Sequence, residues 1–147
     1  MPKETVLPEL GCACATIRRA ARLVTQLYSE EMSGRLEPTQ FSLLAALSQE
    51  RGASQARLGR ALGLDKTTMS RSLRLMEMHG WIERGPSDDQ RERGFQLTPV
   101  GKKLFREAKP RWQQAQARLG EGLKPSELED LLRAVNRIAD AALAAQL

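Results

Sequence analysis

The chain has 147 residues, with 23 Lys and Arg against 18 Asp and Glu and a formal net charge of +5. That length suits one domain with a real core, and the basic balance suits a polyanionic partner such as nucleic acid. Phe41–Leu47 is about the longest apolar run, far below the roughly 20 residues of a membrane span. The N-terminal MPKETVLPEL lacks the apolar core of a signal peptide. The expectation is a cytoplasmic protein in which Cys12 and Cys14 are reduced thiols.

After an irregular start around Pro2 and Pro8, a long helix is predicted from about Gly11 to Met32. Cys14, Ile17, Ala21, Val24 and Tyr28 recur on one helical stripe, with Arg18, Arg19 and Arg22 beside it. A second helix opens at Pro38, a residue suited to the first helical position. It turns Phe41, Leu44 and Ala45 inward and is expected to end at Gly52.

Ser54–Met78 reads as two short helices meeting at Gly63-Leu64. Leu58 and Leu62 face inward in the first, with the small Gly59 where the helices approach closely. Asp65 caps the second, its carboxylate accepting from the free N–H of Thr67 or Thr68. Leu64 and Met69 have the spacing of a hydrophobic staple. Met69, Leu73 and Met76 fall on one side of that helix, and Thr67, Ser70, Arg71 and Arg74 on the other. Short hydroxyls and arginines can reach base edges and phosphates in a major groove. The layout is that of a helix-turn-helix, although any small helical hairpin with a solvated basic face shares it. Arg51, Arg57, Arg60, Lys66, Arg71 and Arg74 are opposed only by Asp65 between residues 51 and 75, an electrostatic footprint for phosphates.

Beyond His79-Gly80 the periodicity changes. Trp81-Ile82-Glu83 reads as a strand and Gly94–Leu97 as its return. The polar loop between them sets Arg84, Arg91 and Arg93 among Glu83, Asp88, Asp89 and Glu92. A helix-turn-helix followed by such a ribbon is a winged helix, whose loop can reach a minor groove. A helix resumes at Thr98, with Thr98 as its cap and Pro99 in its first turn. Pro110 is expected to kink it and Gly120-Glu121-Gly122 to break it. The last helix, Pro125 to about Ala145, carries Leu128, Leu131, Leu132, Val135, Ile138 and Leu143 on one wide face.

The fold class is therefore mainly α with a small β-wing, on a single chain. A winged helix-turn-helix (about 38–100) is flanked by N- and C-terminal dimerisation helices (about 11–36 and 110–147). The small centre cannot bury all the outer stripes. A two-fold dimer would bury them and would match a palindromic DNA site; a four-helix packing within one chain is the other arrangement.

LEPTQFSLLAAL, then LGRALGLDKTTMSRSLRLMEMHGWIER, then Asp89-Gln90-Arg91, then LTPVGKKLF follow one another in this chain. In that order and spacing they resemble the MarR family of bacterial winged-helix transcriptional regulators, over nearly the whole chain. The resemblance implies a homodimer with interlocked terminal helices, bound to double-stranded DNA at a palindromic operator. It places Thr67, Thr68, Ser70 and Arg71 at major-groove positions and Arg74 on phosphate. Arg91 would enter the minor groove or bind backbone, oriented by Asp89, with Arg93 in the same wing. Asp88 and Glu92 depart from the family pattern by making this wing nearly neutral.

Family members are mostly repressors that leave DNA when a small aromatic or phenolic effector binds or when a cysteine is oxidised. Their ligand cleft lies between the dimer helices and the winged helix, which points here to Tyr28 and Trp112; simple packing is the other role for Trp112. Cys14 is in register with the reactive cysteine of hydroperoxide-sensing members, and Tyr28 with a tyrosine fourteen residues on. A second tyrosine of that branch is replaced by Arg18. The competing reading makes Cys12 and Cys14 small buried helix residues. Within a helix, residues two apart point in different directions, which opposes a direct bridge.

No metal site or cofactor is expected: apart from His79 and the two cysteines there are few soft ligands, and no paired zinc spacing. No glycine-rich phosphate loop and no hydroxyl nucleophile with a base suggest an enzyme. The rivals to a DNA-binding regulator are a thiol peroxidase using Cys14 and a winged helix whose Thr67–Arg74 face binds protein.

Overall fold

Proline and glycine punctuate the chain much as expected, and the elements between them follow in the predicted order. The computed structural model describes residues 11–85 and 94–147. They form α1 (Ala13–Met32), α2 (Pro38–Gln49), α3 (Gln55–Leu62), α4 (Lys66–Met78), β1 (Ile82–Arg84), β2 (Phe95–Leu97), α5 (Pro99–Glu121) and α6 (Glu127–Ala144). Two units are distinguished, Met1–Trp112 and Gln113–Leu147. Among the described residues no helix is long and apolar enough to cross a membrane.

Several boundaries differ from expectation, each for a local reason. α1 starts at Ala13 because Cys12, in extended conformation, is its N-cap. α2 begins at Pro38, with the Glu37 N–H donating to Gln40 Oε1 at 3.0 Å. It ends at Gln49, before Gly52, because residues 52 and 53 are drawn into the sheet. The Gly52 N–H donates to the Phe95 carbonyl at 2.9 Å and the Phe95 N–H to the Ala53 carbonyl at 3.0 Å. This isolated antiparallel bridge between Ala53 and Phe95 adds a third segment beside β2 that no periodicity announced. It demands glycine at 94, where a Cβ would stand 1.7 Å from the Gly52 carbonyl oxygen.

β1 and β2 pair antiparallel with Ile82 opposite Leu97, Glu83 opposite Gln96 and Arg84 opposite Phe95. Trp81 and Gly94 lie just outside the strands and Arg84 just inside. The Trp81 backbone instead receives α5: its carbonyl accepts the Thr98 N–H at 3.0 Å. Thr98 Oγ1 donates to the Gly80 carbonyl and accepts the Gly101 N–H at 3.0 Å, which caps the helix. Pro110 sits inside α5, which runs past it to Glu121, within the Gly120-Glu121-Gly122 segment expected to break the helix. α6 begins at Glu127 rather than Pro125, because Ser126 takes a left-handed conformation at its start.

The core gathers around α2. Phe41, Leu43, Leu44 and Leu47 are buried, so this helix is enclosed on more than one side, while Ala45 is only half-buried. Against them pack Met32, Leu36, Leu58, Met69, Leu73 and Met76, together with Ile82, Phe95 and Leu97 from the ribbon. α1 contributes only Met32. No residue of α6 is buried: Leu131, Leu132, Val135, Ile138 and Leu143 are 44–55% exposed.

Candidate nucleic-acid interface

The helix-turn-helix is assembled by short-range bonds. Ser54 Oγ accepts the Arg57 N–H at 3.1 Å and caps α3. Gly63 takes φ +65°, a conformation that favours glycine, and closes the helix. The Leu64 N–H donates to the Gly59 carbonyl at 2.9 Å. A Cβ on Gly59 would lie 3.1 Å from the Leu64 carbonyl oxygen, so the small residue serves the tight turn. Leu64 packs on the core and Met69 is fully buried, consistent with the staple spacing.

Asp65 caps α4 more completely than foreseen. Its Oδ1 accepts the Thr68 N–H at 2.8 Å and its Oδ2 accepts the Thr68 hydroxyl at 2.7 Å. These bonds from Thr68 favour the charged carboxylate and hold its pKa below the usual value. Gln55 at the start of α3 reaches across the turn: its Nε2 donates to Ser70 Oγ at 2.8 Å and to the Lys66 carbonyl at 3.5 Å. Nothing in the apolar spacing pointed to Gln55; its position just after a cap residue was the available signal.

Thr67, Thr68, Arg71 and Arg74 are exposed along α4 and Ser70 is half-buried. Among the described residues Arg60, Lys66, Arg71 and Arg74 make no ion pair or hydrogen bond through their side chains. Two other members of the basic segment are engaged. Arg57 pairs with Glu50 at 2.6 Å, an acid one position outside that segment. Arg51 Nε donates to Gln96 Oε1 at 2.8 Å, and Gln96 Nε2 to Glu83 Oε1 at 2.9 Å. At the base of the wing the Arg84 guanidinium lies 5.1 Å from the Phe95 ring centre. His79, which ends α4, stacks on Trp81 at 4.5 Å.

Asp89, Arg91 and Arg93 fall in residues 86–93, outside the described residues. Cys12 and Cys14 are both exposed, which corrects their expected burial. Cys12 is not a helix residue: its Sγ accepts the Ala15 N–H at 3.5 Å from the capping position. Tyr28 is half-buried, and burial pushes its phenol above the usual value. Trp112 stacks on Phe41 at 5.9 Å, and Phe41 packs against Phe105 at 5.3 Å. Arg111 ties α5 to the end of α1, donating to the Glu31 carbonyl at 3.2 Å and Ser33 Oγ at 2.9 Å. Among the described residues no group of three or more His, Cys, Asp or Glu is placed to hold a metal ion.

The MarR family model matches residues 36–92, the segment from α2 into the wing. YwoH of Bacillus subtilis (strain 168), described as an uncharacterised HTH-type transcriptional regulator, is 27% identical over 92 residues, 62% of this chain and 67% of that protein. The M. tuberculosis transcriptional regulator MosR, solved in complex with DNA, is 31% identical; the match covers 92% of this chain and 99% of MosR with a TM-score of 0.80. The chain belongs to the MarR family of transcriptional regulators. The likeness in fold extends beyond that segment: the Streptomyces coelicolor regulator PcaV, 22% identical, superposes with a TM-score of 0.82 over 93% of this chain and 98% of its own. As in other winged-helix MarR proteins, the mainly helical chain carries a small two-stranded ribbon among the described residues.

Proposed function

We propose that the chain is a homodimeric repressor that binds a palindromic operator and is released from it by a small aromatic or phenolic effector. The observation that carries the DNA-binding part is the outward face of α4. Arg71 and Arg74 stand there beside three hydroxyls, with no ion pair among the described residues, on the second helix of a capped helix-turn-helix. The likeness to MosR, solved on DNA, supports the same use of this face. In this reading Thr67, Thr68, Ser70 and Arg71 approach base edges and Arg74 binds phosphate. Arg91, oriented by Asp89, and Arg93 follow the backbone from the wing.

The exposed apolar residues of α6, together with Leu23 of α1, support a second copy as partner. Uncovered leucine and isoleucine faces of this width are stabilised by burial at about 25 cal/mol per Å2. For the effector, a groove of about 460 Å3 is bounded by Leu47, Arg51, Glu83, Gln96, Leu97, Lys102 and Phe105. Leucine and phenylalanine walls, with Arg51 and Lys102 partly offset by Glu83, suit a small aromatic ligand that carries a polar group. Phe105 also packs on Phe41, so an occupant would press on the stack that includes Trp112.

The test is binding of the purified protein to the duplex upstream of its own gene and to random duplex of equal length, at several salt concentrations. Specific binding that weakens steeply with salt is expected. Equal affinity for both duplexes would overturn the reading, and a weak dependence on salt would favour a protein partner.

A thiol-switched repressor is the second reading, favoured by the exposure of both cysteines. An organic hydroperoxide would oxidise the Cys14 thiol to a sulfenic acid and itself be reduced to the alcohol. Loss of operator binding on such treatment, retained in Cys14→Ser, is the outcome expected of this reading. Indifference to oxidant would leave the effector-released repressor alone.

A further inference from the structure

The hydroxyl groups of Thr68 and Ser70 are held in opposite senses by two residues that themselves face the turn. Thr68 Oγ1 lies 2.7 Å from Asp65 Oδ2, while the other carboxylate oxygen accepts the Thr68 N–H. An ionised carboxylate only accepts, so the single proton of the Thr68 hydroxyl is committed to Asp65. What Thr68 shows outward is lone pairs. Ser70 is the reverse case. Gln55 Nε2 lies 2.8 Å from Ser70 Oγ and 3.5 Å from the Lys66 carbonyl oxygen. A carbonyl also only accepts, so the amide NH2 faces both atoms and Ser70 Oγ receives a proton rather than giving one. Among the described residues no acceptor takes the proton that Ser70 keeps.

We propose that α4 reads DNA with a fixed acceptor at Thr68 and a fixed donor at Ser70, the two senses being set by Asp65 and Gln55. The inference rests on the reading of α4 as the groove helix and deepens it. In the major groove only the amino groups of cytosine and adenine donate. An outward acceptor therefore selects A or C at the base that Thr68 meets. Phosphate oxygens only accept, so Thr68 has no bond to offer the backbone and its contact carries sequence information. Ser70, as a donor, takes guanine O6 or N7, adenine N7, thymine O4 or a phosphate oxygen. Asp65 and Gln55 are positioning residues: neither has to touch DNA to change which base is preferred.

The experiment selects bound duplexes from a random-sequence library on the full-length protein and sequences them. The native chain is compared with Asp65→Asn, Thr68→Val and Gln55→Glu. Asparagine caps helices as well as aspartate; its carbonyl can keep the Thr68 N–H while its NH2 donates to Thr68 Oγ1. Thr68 then becomes a donor. The expected result is one operator position at which the native chain prefers A or C and at which G and T gain on C in Asp65→Asn, by roughly three- to tenfold, the equivalent of one hydrogen bond. Thr68→Val should flatten the same position. Gln55→Glu should take the Ser70 proton and produce a change at a different position, or a uniform loss if Ser70 meets phosphate. A native chain that discriminates among sequences, with the same profile in Asp65→Asn or Thr68→Val, would overturn the proposal and leave the groove reading intact. A native chain that selects no sequence would overturn both.

Discussion

Gly101 and Trp81 meet backbone to backbone: a Cβ at position 101 would stand 1.9 Å from the Trp81 carbonyl oxygen. The same carbonyl accepts the Thr98 N–H, so the first turn of α5 is locked on the base of the wing. Two effects compete in Gly101→Ala. Alanine favours a helix over glycine by about 1 kcal/mol. Forcing a methyl group into an occupied site costs about 1–3 kcal/mol and sometimes more, and here the obstacle is backbone, which cannot swing away. The clash should win. A clear fall in the urea midpoint is expected, and an unchanged midpoint would show that α5 is not seated on Trp81.

Arg71→Ala should weaken binding to the cognate duplex by about 1–3 kcal/mol if the side chain reads a base. Arg74→Ala should weaken cognate and random duplex alike and lower the salt slope by about one unit. Titrations of both variants on both duplexes separate the roles. Equal losses for Arg71→Ala on the two duplexes would reassign it to phosphate.

On α6, Ile138→Glu sets a charge on the uncovered stripe. No residue of α6 is buried within the single chain, so the circular dichroism of the variant should remain native. Dimerisation would suffer twice, once per copy. Excluding a buried isoleucine from water is worth about 1.5–3 kcal/mol, so two copies lose about 3 kcal/mol or more and the dissociation constant of the proposed dimer should rise by more than about 100-fold. Light scattering after gel filtration reads this directly, and a variant that stays dimeric would place the interface elsewhere.

Asp65 confers an acid dependence on α4. Its folded pKa is depressed, chiefly by the two bonds from Thr68. A depressed carboxylate contributes stability that is fully present above its unfolded pKa, about 3.9, and that is lost as pH falls through the lower folded value. The stability difference between the native chain and Asp65→Ala should therefore be constant from neutral pH down to about pH 5. It should shrink below about pH 4, in denaturant titrations at each pH. A difference that persists undiminished into strong acid would mean that the carboxylate charge does not hold the cap.

The sequence by itself determined the order of elements, the cap at Asp65, the inward faces of α3 and α4 and the family motifs. These are local properties: periodicity, a capping carboxylate and the backbone freedom of Gly63 act within a few residues, so they can be read along the chain. Tertiary structure alone decided what the polar side chains do. The pairing of Arg57 with Glu50, the bridge from Ala53 to Phe95, the Phe41–Trp112 stack and the hold of Gln55 on Ser70 all depend on which groups the fold brings within hydrogen-bond or stacking distance.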